Sequence, residues 1–570
     1  MAARPTAEHT FERGIAEPTL RSYLARAVTY NNALGTTSLE DDLRMLREIG
    51  ALFLGRSAYV WRPTTNEEEH FRLAAAFAAR VREEMPATIC QAAIFEAVYP
   101  AVDAIPVPPW VFEEFGERPV SRTFRYAEMA GADFQELYRW NQFGIGGVVP
   151  DLTLRETQRY FYYRARRYLD AGYEAIHLGQ PHLYAGKDRG FAVLADLLVR
   201  IRRHAAKVAR RHWVLLDAHT HGIARKNHLL FDFHSRPLSA RAWTARPEKI
   251  ILQQKGRSLG GIAPSGWRCD ALPYLIEVDN WGGYSVAKSQ WENLEQRAAK
   301  GRWGWDDIAW LAHQPKCERD AFLLYAHRWM RVQDGAGYFQ MPVRRTLGAA
   351  GVVRPDFNGT SNEIWHYQAN YPSAACPDGF DQEATIRQAW DEAPPDWLPS
   401  WQHRHADLPP VSAFPHGQNI PEHVAILGEL QVMLGGEPNQ TWCAYSRMHH
   451  HGGGRFELAT VIPYPGTFTF SIACGGTHTE VYRQNGLAGG SLWRLQTTAV
   501  AQRLRIRFDY ATKLVQALDD RDASLLVAPP SDAPVRAPGM NGGLASSRPP
   551  FSDGTRFAAE NRGAPSRSSA

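Results

Sequence analysis

Between residues 29 and 395, short apolar runs alternate with stretches whose apolar positions recur every three or four residues. The runs cover 51–55, 88–96, 173–180, 213–217, 229–232, 274–279, 338–341 and 364–368. The periodic stretches predict helices near 37–50, 70–85, 153–172, 191–210, 306–313, 319–331 and 383–392. In the first, Leu39, Leu43, Leu46 and Ile49 make the stripe, Thr37 with Glu40 reads as a capping box, and Gly50 stops the helix. Thr153 with Glu156 reads the same way. In 191–210 the inward set is Leu194, Leu197, Leu198, Ile201, Ala205 and Val208.

Runs that are apolar on both sides and separated by amphipathic helices predict a parallel sheet covered on both faces. Eight of them predict an α/β fold, a (β/α)8 barrel over 29–395 behind an N-terminal extension, 1–28. The Pro- and Trp-containing segment 99–150 reads as a long insertion. Only 220–228 separates the fourth run from the fifth, so one helix is missing. A doubly wound open sheet is the alternative. It lacks support, because no GxGxxG sits at a strand-to-helix turn.

The pattern changes after Pro394. Residues 396–422 read as a linker. In 467–472 and 503–508 apolar and polar residues alternate strictly, which predicts antiparallel strands with one wet face. A small β-rich module is therefore expected over 423–520. Pro, Gly, Ser and Ala dominate 525–570, which predicts a disordered tail.

Composition narrows the function classes. The 570 residues carry a formal charge of +4 without charge blocks, which argues against nucleic acid and against a polybasic membrane anchor. No run approaches membrane-span length and no signal-peptide core opens the chain. Six cysteines lack a CxxC pair. A cytoplasmic protein with reduced thiols is the expectation. The 18 Trp, 22 Tyr and 25 Phe, many beside Gly and Pro, suit a cleft that stacks the apolar faces of sugar rings.

The chemistry sits at the ends of the apolar runs. Asp217 is followed by His219 and His221, Asp232 by His234, and Glu277 by Asp279. Glu96, His177 and Gln180 end two earlier runs, and Gln340 and His366 lie on the last two. In a barrel, alternate residues point inward and the carboxyl ends line the mouth, so these groups are expected on one rim. Converging carboxylates repel, and some of their pKa values must separate, which lets an acid and a base coexist. One chemistry for such a rim is glycoside cleavage by paired carboxylates. Asp217 is then the nucleophile or base and Asp279 the acid, with Glu277 the alternative. Glu96, His177, Gln180, His219, Asp232, His234 and Gln340 bind substrate, and Trp281 offers a ring platform. No cofactor is then needed. The second chemistry is metal-dependent hydrolysis, with zinc or manganese held by Asp217, His219, His221, Asp232 and His234. A non-catalytic carbohydrate-binding barrel is the third class. The tract His449, His450 and His451 before three glycines reads as an exposed loop.

From SLEDDLRMLREIGALFLGR to YLIEVDNW the chain resembles a glycoside-hydrolase-type TIM barrel, with the helix-Gly-strand entry LREIGALFLGR. That resemblance implies a hydrolase acting on a carbohydrate or glycoconjugate. The sequence departs from the large retaining clan: the fourth run ends LLDAH rather than Asn-Glu, and Gln340 stands on the seventh. An acid on the fourth and another on the sixth is closer to α-galactosidase-like barrels.

Overall fold

The computed structural model describes residues 9–31, 33–61, 67–130, 146–243, 245–253, 256–280, 307–347, 366–399, 401–402, 420–486 and 489–528, with the side chains of 247 and 248 left out. Eight parallel strands form the barrel: β1 Ala27–Tyr30, β2 Phe53–Tyr59, β3 Ile89–Ala93, β4 Ala175–His177, β5 Leu215–Asp217, β6 His234–Pro237, β7 Tyr274–Glu277 and β8 Gly337–Thr346. They pair in the order β5-β4-β3-β2-β1-β8-β7-β6. The circle closes between β5 and β6, where Asp232 N donates to Leu216 O at 2.8 Å and Ser235 N to Ala218 O at 3.1 Å. A parallel bridge joins His219 to Ser235.

Helices α1 Glu17–Ala25, α2 Leu39–Ile49, α3 Glu67–Glu84, α4 Arg155–Asp170, α5 Ala192–Val208, α6 Lys316–Gln333 and α7 Glu383–Asp391 accompany the strands. Helix α2 ends where Gly50 turns left-handed at φ 74°, a conformation that costs glycine little. Neither capping box forms: Ser38 precedes α2 without a side-chain cap, and Glu156 turns to Arg122 instead. No helix longer than a turn follows β5 or β6 among the described residues; short strand pairs at 224–229, 240–252 and 261–269 stand there.

Two stacked levels fill the barrel. The floor is apolar: Ala27, Phe53, Ile89, Ala175, Leu215, Phe233, Leu275 and Tyr338, one from each strand or its first flank, share a cluster. Phe53 meets Phe233 edge-on at 5.5 Å across it. Leu20, Tyr23 and Leu24 of α1 plug it from below. Two residues further along each strand, the next inward position is Thr29, Gly55, Gln91, His177, Asp217, Ser235, Glu277 or Gln340. Seven of these eight have polar side chains, and all seven are buried. The barrel is a greasy plug beneath a polar chamber.

The strand count needs correction. The first barrel strand is Ala27–Tyr30, which straddles the expected boundary at residue 28 and is absent from the eight apolar runs. The run 229–232 is not a barrel strand: the chain enters the barrel one step later, at His234. Residues 366–368 pair antiparallel with β8 outside the circle. Asp217 therefore ends the fifth strand and Glu277 the seventh, and the α-galactosidase-like spacing on strands four and six does not hold.

Beyond residue 420, two antiparallel sheets enclose a second core that includes Ile426, Phe456, Phe470, Leu495 and Ile506. The module shares one compact unit with the barrel. Tyr464 Oη donates to Ile250 O at 2.9 Å, and Arg328 of α6 donates to Ala501 O at 3.0 Å. Order extends past 525, because Leu526 bridges to Leu495; residues 529–570 lie outside the described part.

Candidate active site at the barrel mouth

Asp217 anchors one side of the polar chamber. Its carboxylate accepts from Gln91 Nε2 at 2.6 Å, from Ser235 Oγ at 2.6 Å and from His177 Nδ1 at 2.9 Å. A carboxylate only accepts, so His177 carries its proton on Nδ1. His177 Nε2 is buried and has no hydrogen-bond partner. It is the acceptor of an oriented imidazole without a proton to take.

The other side is built on Glu277 and Asp279. Glu277 meets Arg56, and its Oε2 lies 3.6 Å from Arg345 Nη1. Asp279 meets Arg345, with Arg56 at 3.9 Å. His219 Nε2 donates to Glu277 Oε1 at 2.7 Å. The His177 and His219 rings lie 4.6 Å apart and link the two sides. Burial, His177 and the two arginines outweigh Asp279 and hold the His219 imidazole well below its usual pKa, so it is neutral near pH 7. Burial alone would raise the Asp279 carboxyl, but Arg345, Arg56 and His219 overrule it and keep it well below the carboxylate range. Burial and Arg345 push Arg56 down to about 10, which leaves it charged at neutral pH.

Arg56 reaches the chamber through a fault in strand regularity. The β2–β3 register shifts between Leu54 and Ala58, and Arg56 has a left-handed φ of 55°. This bulge lets Gly55 and Arg56, neighbours in sequence, both serve the interior. Arg56 N donates to Gln91 Oε1 at 3.0 Å, which fixes the Gln91 amide with its NH2 toward Asp217. At Gly55 a Cβ would stand 2.0 Å from Gln340 Nε2, so the glycine makes room for that amide.

An aromatic wall rises beside His177. Phe95 lies 6.1 Å from the His177 ring, 5.4 Å from Tyr59 and 4.9 Å from Trp61. All three wall residues are partly exposed.

The structure brings Asp217, His177, His219, Glu277 and Asp279 into one network. Glu96 and Gln180 pair with each other instead, Gln180 Nε2 donating to Glu96 Oε1 at 2.7 Å. Gln340 Nε2 donates to Val28 O at 2.9 Å and serves the barrel wall. Two expectations fail. Asp232 faces away from the mouth, accepting from Arg202 at 2.9 Å, Leu216 N at 2.9 Å and Trp213 at 3.3 Å. His234 points out of β6 toward Ser258 at 3.4 Å. Both lie on the other parity from Ser235, the residue of this segment that meets Asp217. Trp281 lies outside the described residues. Arg56, Gln91, Ser235, Arg345, Tyr59 and Phe95 were not singled out from the sequence. Gln91 and Ser235 carried a usable signal, since each lies two residues after a floor residue.

The five proposed metal ligands do not converge: Asp232 and His234 face elsewhere, and His221 Nδ1 receives Arg236 Nη1 at 2.6 Å. Among the described residues, His219, Glu277 and Asp279 bring ligand-type atoms within 4.8 Å of one another. Two guanidiniums already hold both of these carboxylates. A divalent cation would have to sit against them, and the donor set does not fit one. The three histidines at 449–451 lie at a hairpin of the β module, where the rings of His449 and His451 pack on Trp401 at 5.3 and 6.0 Å.

No helix among the described residues is long and apolar enough to cross a membrane. No family model matches the chain, and no curated protein matches it. Solved structures do. An α-amylase from Lactobacillus plantarum is 12% identical over 85% of this chain and 100% of its own, with a TM-score of 0.33. A debranching enzyme from Nostoc punctiforme is 10% identical over 81% of this chain and 93% of its own, with a TM-score of 0.32. A pullulanase from Bacillus acidopullulyticus is 16% identical over 19% of this chain, which spans 12% of that enzyme, with a TM-score of 0.15.

Proposed function

We propose that the barrel mouth is the active site of a hydrolase that cleaves a glycosidic bond in a carbohydrate or glycoconjugate. The charge balance of the chamber carries this reading. Three carboxylates, Asp217, Glu277 and Asp279, face two guanidiniums, Arg56 and Arg345. The formal sum of these five groups is −1. Such a site repels a phosphate or carboxylate at the reacting atom and favours the cationic, oxocarbenium-like transition state of glycoside cleavage. The wall of Tyr59, Trp61 and Phe95 supplies the apolar face on which a sugar ring stacks.

In this reading Glu277, gripped by Arg56, Arg345 and His219, is the carboxylate that attacks or stabilises the anomeric carbon. Proton transfer falls to His177 Nε2, with Asp217 positioning the ring through Nδ1: Nε2 takes a proton from the attacking water and hands it to the departing glycosidic oxygen, so the old C–O bond breaks as the new one to water forms, with Glu277 stabilising the cationic carbon between them. An acid role does not suit Asp279, whose carboxyl the two arginines keep ionised. Asp279 instead orients Arg345.

The test is a panel of 4-nitrophenyl glycosides and oligosaccharides with wild type and Glu277→Gln. The expected result is turnover in the wild type and a drop of about a thousandfold or more in the variant, with an unchanged circular-dichroism spectrum. Undiminished turnover in Glu277→Gln would refute the mechanism.

A further inference from the structure

A cavity of about 240 Å³ opens beside the mouth, behind β6 and β7. It begins at Gln180 and His219 and runs past Ser239 and Gln253 to Tyr274 and Trp329. Arg236 lines it from the outward face of β6 and is only 6% exposed. Its Nη1 donates to His221 Nδ1 at 2.6 Å and to Gly256 O at 3.0 Å. Its guanidinium plane lies on the Tyr274 ring, 3.9 Å from the centroid. The other edge is bare: Nε and Nη2 are buried without a hydrogen-bond partner. No carboxylate among the described residues forms an ion pair with Arg236. The nearby acid, Asp334, accepts the Tyr274 hydroxyl at 3.0 Å. Burial pushes the guanidinium below its ordinary pKa and outweighs the opposing pull of Tyr274 and Asp334.

We propose that this cavity binds a carboxylate carried by the substrate, so that the glycoside cleaved at the mouth is an acidic, uronate-type sugar. The proposal rests on reading the mouth as a glycosidase site and names the substrate class for it. The Nε–Nη2 edge of a guanidinium is the fork that grips a carboxylate through two parallel hydrogen bonds. A buried cation is strongly unfavourable until an anion joins it, so the unpaired Nε–Nη2 edge suits an anionic group. One guanidinium matches a monoanion better than a phosphate dianion. The bonds from Nη1 to His221 and Gly256 fix the plane, and the stacked Tyr274 fixes its tilt. Ser239 and Gln253 offer side-chain partners for ring hydroxyls, and Trp329 offers an apolar face. The cavity shares His219 with the chamber, so a ring held at Arg236 lies next to the group that bonds Glu277. The chamber and the cavity thereby divide the charge: negative where the transition state is cationic, positive where the substituent is anionic.

The experiment is calorimetric titration of the full chain with D-glucuronate, D-glucose, acetate and D-glucose 6-phosphate. Glucuronate is expected to bind about tenfold or more tightly than glucose, the value of a charge-assisted pair. Arg236→Met should erase that preference. Arg236→Lys, which keeps the charge but loses the fork, should erase most of it and keeps the test valid if the methionine variant does not fold. Equal affinity for glucuronate and glucose would overturn the proposal, as would a preference that survives Arg236→Met. Acetate binding as tightly as glucuronate would overturn the sugar-borne source, and tighter binding of glucose 6-phosphate would overturn the carboxylate. Glu277→Gln should keep the glucuronate preference. Binding without turnover would therefore refute the hydrolase reading and leave the subsite standing.

Discussion

Replacing Asp217 with asparagine changes one atom and poses a problem the chamber cannot solve locally. Three donors converge on the carboxylate: Gln91 at 2.6 Å, Ser235 at 2.6 Å and His177 at 2.9 Å. Asparagine has one acceptor oxygen and an NH2 that must face one of them. If it faces Gln91, two buried donors oppose each other. The Gln91 amide cannot rotate away without losing its bond from Arg56 N at 3.0 Å. The cheaper arrangement turns the NH2 toward Ser235 and His177. Ser235 then rotates its hydroxyl, and His177 moves its proton to Nε2. One charge-assisted bond is lost and no room opens, so the stability cost is about 1.5–3 kcal/mol. The functional cost is larger, because Nε2 becomes a donor and can no longer accept a proton. A lost acid–base group lowers turnover by about a hundred- to ten-thousandfold. Nitrogen-15 spectra of histidine-labelled protein read the tautomer directly, with His177→Gln assigning the signal. The expected shift is from Nδ1–H to Nε2–H, with a lower Tm. An Asp217→Asn protein that retains the Nδ1–H form, the wild-type Tm and wild-type turnover would refute the dyad and the proton role given to His177.

Two further outcomes follow from the interior. Gly55→Ala places a methyl 2.0 Å from Gln340 Nε2 and should cost about 1–3 kcal/mol by overpacking. In a Gln340→Ala background most of that penalty should vanish, and strictly additive denaturation midpoints would contradict the assigned register. His234 is fully buried, and burial with Arg236 and His221 nearby pushes its imidazole down to about 3. Between that value and about 6.5, the unfolded chain binds a proton that the folded chain does not, so stability rises with pH through this window and levels off above it. His234→Gln should flatten the profile between pH 4 and 6 by up to about 1 kcal/mol per pH unit. Parallel pH profiles in variant and wild type would count against the burial assigned to this ring.

The pattern of apolar runs and helical stripes specified a parallel sheet covered on both faces, and the number of runs pointed to a barrel, but only the pairing of β5 with β6 closed it against an open doubly wound sheet. It also placed Asp217, His219, Glu277 and Asp279 at strand ends, where period two sends them to one mouth. Strand identity was less legible. AVTY is too short to separate from a helix end, and the run 229–232 satisfies the apolar pattern although the barrel is entered only at His234. The inward positions here are Phe233 and Ser235, one residue off the expected parity, and that single step turns Asp232 and His234 outward. The partners that give the acids their character were not readable, because they depend on geometry across the barrel. Arg56 arrives through a bulge, and Arg345 meets Asp279 across the pairing of the seventh and eighth strands. Chain order alone sets which residues face inward, but the closure of the sheet decides which charge lies opposite which. That closure makes Asp279 a fixed anion, His177 an oriented base and Arg236 a buried cation facing an open cavity.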